Sequence, residues 1–138
     1  MELITQDHRT QMTANFADER KDHLPVVKLF CPWGAATWLL TGLCEEGALG
    51  FGLCDLGLGF PELGYVALSE LRAIKGPFGL GIERDLFFEP FGSLEVYTEA
   101  ARTAETITED EATLRQAFAG LEARARREGK ALKAFLAT

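Results

Sequence analysis

Apolar and polar positions repeat along the chain with two periods, and each period marks its own kind of element. Met12 and Phe16 lie one turn apart on a helix that Thr5 caps and that runs to about Ala17, where the charged segment Asp18 to Asp22 ends it. Val26 to Cys31 reads as a strand closed by Pro32 and Gly34. A second strand starts near Ala36. Its run Thr37-Trp38-Leu39-Leu40-Thr41 is apolar on both faces, which predicts a central place in a sheet, and a turn follows at Glu45-Glu46-Gly47. The third strand, about Leu49 to Asp55, puts Phe51, Leu53 and Asp55 on one face and Gly52 and Cys54 on the other.

Gly57, Gly59 and Pro61 break the pattern before a fourth strand at about Leu63 to Leu68. It leads into a short helix for which Ser69 is the expected N-cap, with Glu70 in the first turn and Gly76-Pro77 as the stop. From Leu80 to Phe88, Leu80 and Ile82 alternate with Glu83 and Asp85, predicting a sheet-edge strand with one wet face that ends at Pro90. Ser93 is the expected cap of a helix carrying Leu94, Tyr97, Ala101 and Ala104. Strands joined by short Gly and Pro turns cannot be parallel neighbours, so the pattern predicts an α+β fold: an antiparallel meander of about five strands flanked by N-terminal and C-terminal helices.

Residues 1–107 read as a single domain, and residues 108–138 as a C-terminal amphipathic helix opened by a capping box of Thr108 and Glu111. Leu114, Phe118, Leu121, Ala125, Leu132 and Phe135 or Leu136 form its stripe, with a weak joint at Glu128-Gly129. Leu114, Phe118, Leu121, Leu132 and Phe135 are the candidate partner-helix residues, either docked on the domain or used for self-association or a protein partner. From Leu114 onward six basic residues outnumber two acidic ones, a net +4, while Met1 to Thr113 carries −11.

The net charge of −7 over 138 residues argues against a protein that grips nucleic acid by bulk charge. With 47% apolar and 25% charged residues the composition is that of a globular domain. No apolar run reaches membrane-spanning length and no secretory signal is visible, so a cytoplasmic location is expected. Cys31, Cys44 and Cys54 are an odd set without C-x-x-C spacing, which fits a reducing compartment and buried thiols; no metal and no cofactor is expected.

Candidate chemistry is sparse. Both serines are explained as helix caps, and His8 and His23 read as solvent-exposed. The glycine-rich stretch Gly47 to Gly64 lacks G-x-G-x-x-G and a Lys-Ser/Thr ending, so its glycines are read as turn formers. Asp55, Glu62, Tyr65 and Glu70 flank those turns. Two or three converging carboxylates bind a divalent cation or divide into acid and base, which makes Asp55, Glu62 and Glu70 the candidate catalytic set. Trp38 reads as core. Trp33, in a turn between Pro32 and Gly34, reads as an exposed binding aromatic and joins Tyr65, Asp55 and Glu62 as candidate binding residues. Arg84, between Glu83 and Asp85, is expected to form a cross-strand ion pair.

Several segments together carry a resemblance: Val26-Val27-Lys28-Leu29-Phe30, Trp33-Gly34-Ala35-Ala36-Thr37-Trp38, Phe51 to Gly57, Pro61 to Val66, and Ile82-Glu83-Arg84-Asp85. From about Leu3 to Ala104 the chain resembles a family of short bacterial proteins of unknown function, often encoded on plasmids and integrative mobile elements. That family supplies no catalytic residues, and the tail beyond Thr108 departs from its usual length. Two expectations follow. The first is a non-catalytic binding or accessory protein of a bacterial mobile element, acting on a host protein partner. The alternative is a small metal-dependent hydrolase or nuclease using the clustered carboxylates.

Overall fold

The structure, a computed structural model, describes residues 1–18 and 20–137; Glu19, in the charged segment after the first helix, and Thr138 lie outside the described residues. Helix α1, Gln6–Ala17, starts where its pattern predicts: Thr5 Oγ1 accepts the His8 N–H at 3.2 Å, and His8 Nδ1 accepts the Thr5 N–H at 3.1 Å. His8 is therefore a half-buried capping residue rather than a free surface histidine, and burial, with Arg84 nearby, lowers its pKa.

Strands β1 (Val27–Phe30), β2 (Thr37–Cys44), β3 (Leu49–Asp55) and β4 (Glu62–Ala67) form an antiparallel meander, and a two-residue strand β5 (Glu83–Arg84) crosses to the far edge beside β1. The order is β4-β3-β2-β1-β5, which makes the fold α+β with β2 at the centre. Thr41 is skipped in the β2–β3 register, and Asn15 of α1 donates its side-chain N–H to the Thr41 carbonyl at 2.9 Å.

Alternation along β2 sends Trp38 and Leu40 into one core and Leu39 into another. The first core joins Val27, Leu29 and Met12 to Leu68 and Leu71 of helix α2, Leu68–Ala73. In the second, Leu39 and Leu53 meet Leu94, Val96, Tyr97, Ala100 and Ala101 of α3 (Leu94–Ala104) and Leu114 and Leu121 of α4 (Glu111–Glu128). Helices thus cover both faces of the sheet.

Several local expectations fail for identifiable reasons. Strand β4 runs directly into α2 with no intervening loop, so Ala67 precedes the helix and Ser69 sits exposed inside it, capping nothing. The strand expected from Leu80 to Phe88 contracts to β5 because both of its ends are used in turns. A Lys75–Gly81 bridge closes a loop around the 3-10 turn Pro77–Gly79, and the Asp85 carboxylate accepts the Phe87 N–H. Arg84 bonds the Glu2 carbonyl, while the ion pairs in this region join Lys28 to Asp85 and to Glu109.

Ser93 precedes α3, yet its hydroxyl does not cap it. The Ser93 Oγ accepts the Phe135 N–H at 3.0 Å, and the Asp22 carboxylate takes the Glu95 N–H instead. For α4 the cap is Asp110, which accepts the Thr113 N–H at 3.0 Å, and not Thr108. This helix stops at Glu128 because Gly129 adopts φ 64°, a left-handed C-terminal conformation that glycine takes without strain. No helix spans the joint: the chain beyond it pairs with the segment before α3, through a Gly92–Leu136 bridge and the bonds Ser93 N–H to Phe135 O and Ala137 N–H to Phe91 O.

Among the stripe residues, Leu114 and Leu121 are buried against α3, Phe118 is half-buried, and Leu132 and Phe135 are exposed. Leu114→Ala is accordingly expected to cost about 2–4 kcal/mol of stability, and Leu132→Ala below about 1 kcal/mol. The shift of urea midpoint checks both; equal small losses would mean that α4 is not packed on α3.

Candidate functional site

Asp55, at the end of β3, is only 1% exposed, and its carboxylate is committed inside the fold. Oδ1 accepts the Gly57 N–H at 2.8 Å, while Oδ2 accepts the Thr106 hydroxyl at 3.0 Å and the Ile107 N–H at 2.9 Å. One side chain thereby ties the β3–β4 turn to the link between α3 and α4. Glu62 is paired with Cys54, so it points to the face opposite Asp55, and Glu70 lies exposed on α2. The three candidate carboxylates are not brought together, and among the described residues no group of three His, Cys, Asp or Glu side chains could hold a metal ion. Burial pushes the Cys54 thiol up, away from the thiolate a nucleophile needs.

Trp33 lies in a different setting. The pairs Phe30–Thr37, Phe30–Glu83, Thr37–Asp55 and Cys54–Glu62 place three connections at one end of the sheet: Pro32 to Ala36, Leu56 to Pro61, and Gly76 to Ile82. They touch one another. The Trp33 indole lies flat over Gly76, where a Cβ would fall 2.4 Å from the ring, so only glycine fits there. Ala35 packs on the Gly57 backbone, where a Cβ would fall 2.8 Å from its own. At the rim of this crown stand Leu56, Leu58 and Phe60, 62%, 73% and 78% exposed, with Trp33 at 36% and Phe78 fully exposed. Phe78 is held at φ 57°, in the left-handed region that a bulky side chain rarely adopts.

Within these three connections there is not one charged residue, although a quarter of the chain is charged. Connecting segments are normally polar, because they face water. Apolar side chains of this size, gathered without charge at one end of a sheet, are suited to contact with another apolar surface.

A second concavity lies between α1, the open side of β3–β4 and α3. Phe16, Phe51 and Tyr65 wall it, with Tyr65 ring centroids 6.3 Å from Phe16 and 5.1 Å from Phe51. Cavities of about 220 and 320 Å³ adjoin there and share Lys21, Asp22, Phe51 and Leu94. Burial raises the pKa of Asp22, against hydrogen bonds from Ser93, Glu95 and His23 that hold it down; burial, then Asp22 itself, raises Glu95. Of this group only Tyr65 stands out in the sequence. Asp22 reads there only as part of the charged segment that ends α1, and nothing local signals that it serves a helix 73 residues away.

Replacing Asp55 by Ala is expected to lower stability by about 2–4 kcal/mol, since three donors lose a charged acceptor at a buried position; chemical denaturation reads this out. For Asp22 the raised folded pKa means that its contribution is full below the ordinary carboxylate value and is lost as pH rises through the folded value. Asp22→Asn is therefore expected to gain stability relative to the unsubstituted protein between pH 4 and pH 7, a window set by the ordinary carboxylate value. A constant difference across that range would contradict the burial of Asp22.

Residues 3–108 match the family described as "Protein of unknown function (DUF2958)". The match takes in α1 through α3, Asp55 and the whole crown, and stops before α4. No curated protein and no solved structure matches the chain. With most of its length inside that match, the chain belongs to the DUF2958 family.

Proposed function

We propose that the protein is a non-catalytic binding or accessory protein of a bacterial mobile element, working in the cytoplasm through contacts with protein. The observation that carries this reading is the crown of Trp33, Leu56, Leu58, Phe60 and Phe78, apolar, exposed and free of charge on an otherwise acidic chain. Water opposes exposure of such a patch by about 25 cal/mol for each Å² left uncovered, so a protein surface that covers it is bound with a hydrophobic gain. Of the carboxylates that an enzymatic role would use, Asp55 holds one loop of the crown by accepting the Gly57 N–H, and Glu62 stands at the crown's margin.

Affinity capture tests the reading. Tagged full-length protein, offered untagged protein and a bacterial lysate, is expected to retain a defined protein, and Phe60→Glu is expected to abolish that retention with the circular dichroism spectrum unchanged. Because the crown carries no charge, retention is expected to persist at about 0.5 M salt, where the Debye length is only a few ångströms. Retention that survives Phe60→Glu and disappears in salt would overturn the role of the crown.

A further inference from the structure

We infer that the aromatic-walled cavity beside α1 is a binding site for a methylated quaternary ammonium group, the head of a small organic cation. The site is separate from the crown, none of whose exposed side chains lines it. Phe16, Phe51 and Tyr65 wall the smaller of the two adjoining cavities, about 220 Å³, which has room for such a head and part of its chain. The Tyr65 ring meets Phe16 at 69° and Phe51 at 55°, so the three planes form an angled enclosure and not a stack. Gly42, opposite Phe51 in the β2–β3 register, makes this possible: a Cβ there would lie 3.2 Å from the Phe16 ring. Aromatic rings carry negative charge on their faces, and several of them around one space attract a cation strongly once water is excluded.

The charges at the cavity point to the same ligand. Asp22 and Lys21 are the charged residues lining it, beside His23, and they are not paired with each other. The exposed Lys21 ammonium is held by Asp18 at 3.5 Å. Among the described residues no cation forms an ion pair with Asp22 or with Glu95, which lines the adjoining cavity. Burial raises the pKa of Asp22 against hydrogen bonds and the nearby His23, while Glu95 is raised by burial and then by Asp22, with Arg124 and Lys133 opposing. Two carboxylates that repel each other thus stand against an α3 N-terminus worth only about half a positive charge. Arg20, Arg102 and Lys133 line the adjoining cavity, where Arg102 is paired with Glu99, and none of them lines the aromatic one. Methylation follows from the hydrogen bonds. Asp22 already accepts the His23 and Glu95 N–H groups, and Asn15 Oδ1 accepts from Gln11. A primary ammonium would bring N–H groups to ring walls that cannot accept them well, whereas a quaternary one brings none.

Titration of the full-length protein with choline chloride, at ionic strength held constant with sodium chloride and followed by the N-methyl proton resonance, tests the site. Saturable binding is expected, with a dissociation constant of about 1 mM or below and an upfield shift caused by the ring currents. The uncharged neohexyl alcohol, in which carbon replaces the nitrogen, is expected to bind at least about tenfold more weakly, because it keeps the shape and loses the cation. Tyr65→Phe should retain choline, whereas Tyr65→Leu should weaken it by about tenfold and Asp22→Asn by about 5–10-fold. Tyr65 is exposed and asparagine still caps a helix, so both weakening variants keep the fold, which their urea midpoints verify. Failure of choline to saturate, equal affinity for the uncharged alcohol, or an affinity indifferent to either Tyr65→Leu or Asp22→Asn overturns the inference.

Discussion

The buried carboxylate of Asp55 is the interaction on which the arrangement depends. It stands at the last residue of β3, where the sheet gives way to loops, and meets three donors from two distant parts of the chain. A charged group withdrawn from water is tolerated only when its acceptor sites are filled, so the turn at Gly57 and the link at Thr106-Ile107 are held wherever Asp55 stands. Two consequences follow. The β3–β4 connection is fixed against Ala35 and becomes part of the crown, and α4 is launched from a defined point so that Leu114 and Leu121 reach the core beside α3.

Both faces of β2 are covered, and that fact organises the rest. One cover comes from α1 and α2, the other from α3 and α4, and the open edge at β4 leaves Leu63 and Tyr65 exposed. The chain then uses distant side chains for tasks that neighbours perform elsewhere. Asp22 caps α3, which releases Ser93 to hold the C-terminal segment at Phe135. Ser93, which holds the tail at Phe135, lies within residues 3–108 that match the family, whereas α4 and Phe135 lie beyond them.

Short-range order was readable in the sequence because it rests on period and on neighbours. The doubly apolar run at Thr37 to Thr41 announces a central strand, and Thr5 announces the start of α1. What was not readable depends on contacts far apart in the chain. Asp55 next to a glycine turn looks like any turn former until Thr106 is seen 51 residues on. Ser69 and Thr108 fit the cap pattern and lost to Ala67, which leaves β4 no loop, and to Asp110, whose carboxylate reaches Thr113. The crown lay between these extremes. Trp33 was legible as an exposed aromatic, whereas Leu56, Leu58 and Phe60 were masked by the glycines and proline around them; their signal was the lack of any charge from Leu56 to Pro61.

Native-state amide hydrogen exchange at Gly57 and Ile107 tests the central claim most directly. If one buried carboxylate holds both amides, the two should be protected to a similar degree and should open together, although one belongs to an exposed loop and the other to an interhelical link. Rapid exchange at Gly57 beside slow exchange at Ile107 would show that the loop is not tied to Asp55, and the account of the crown as a rigid surface would fail with it.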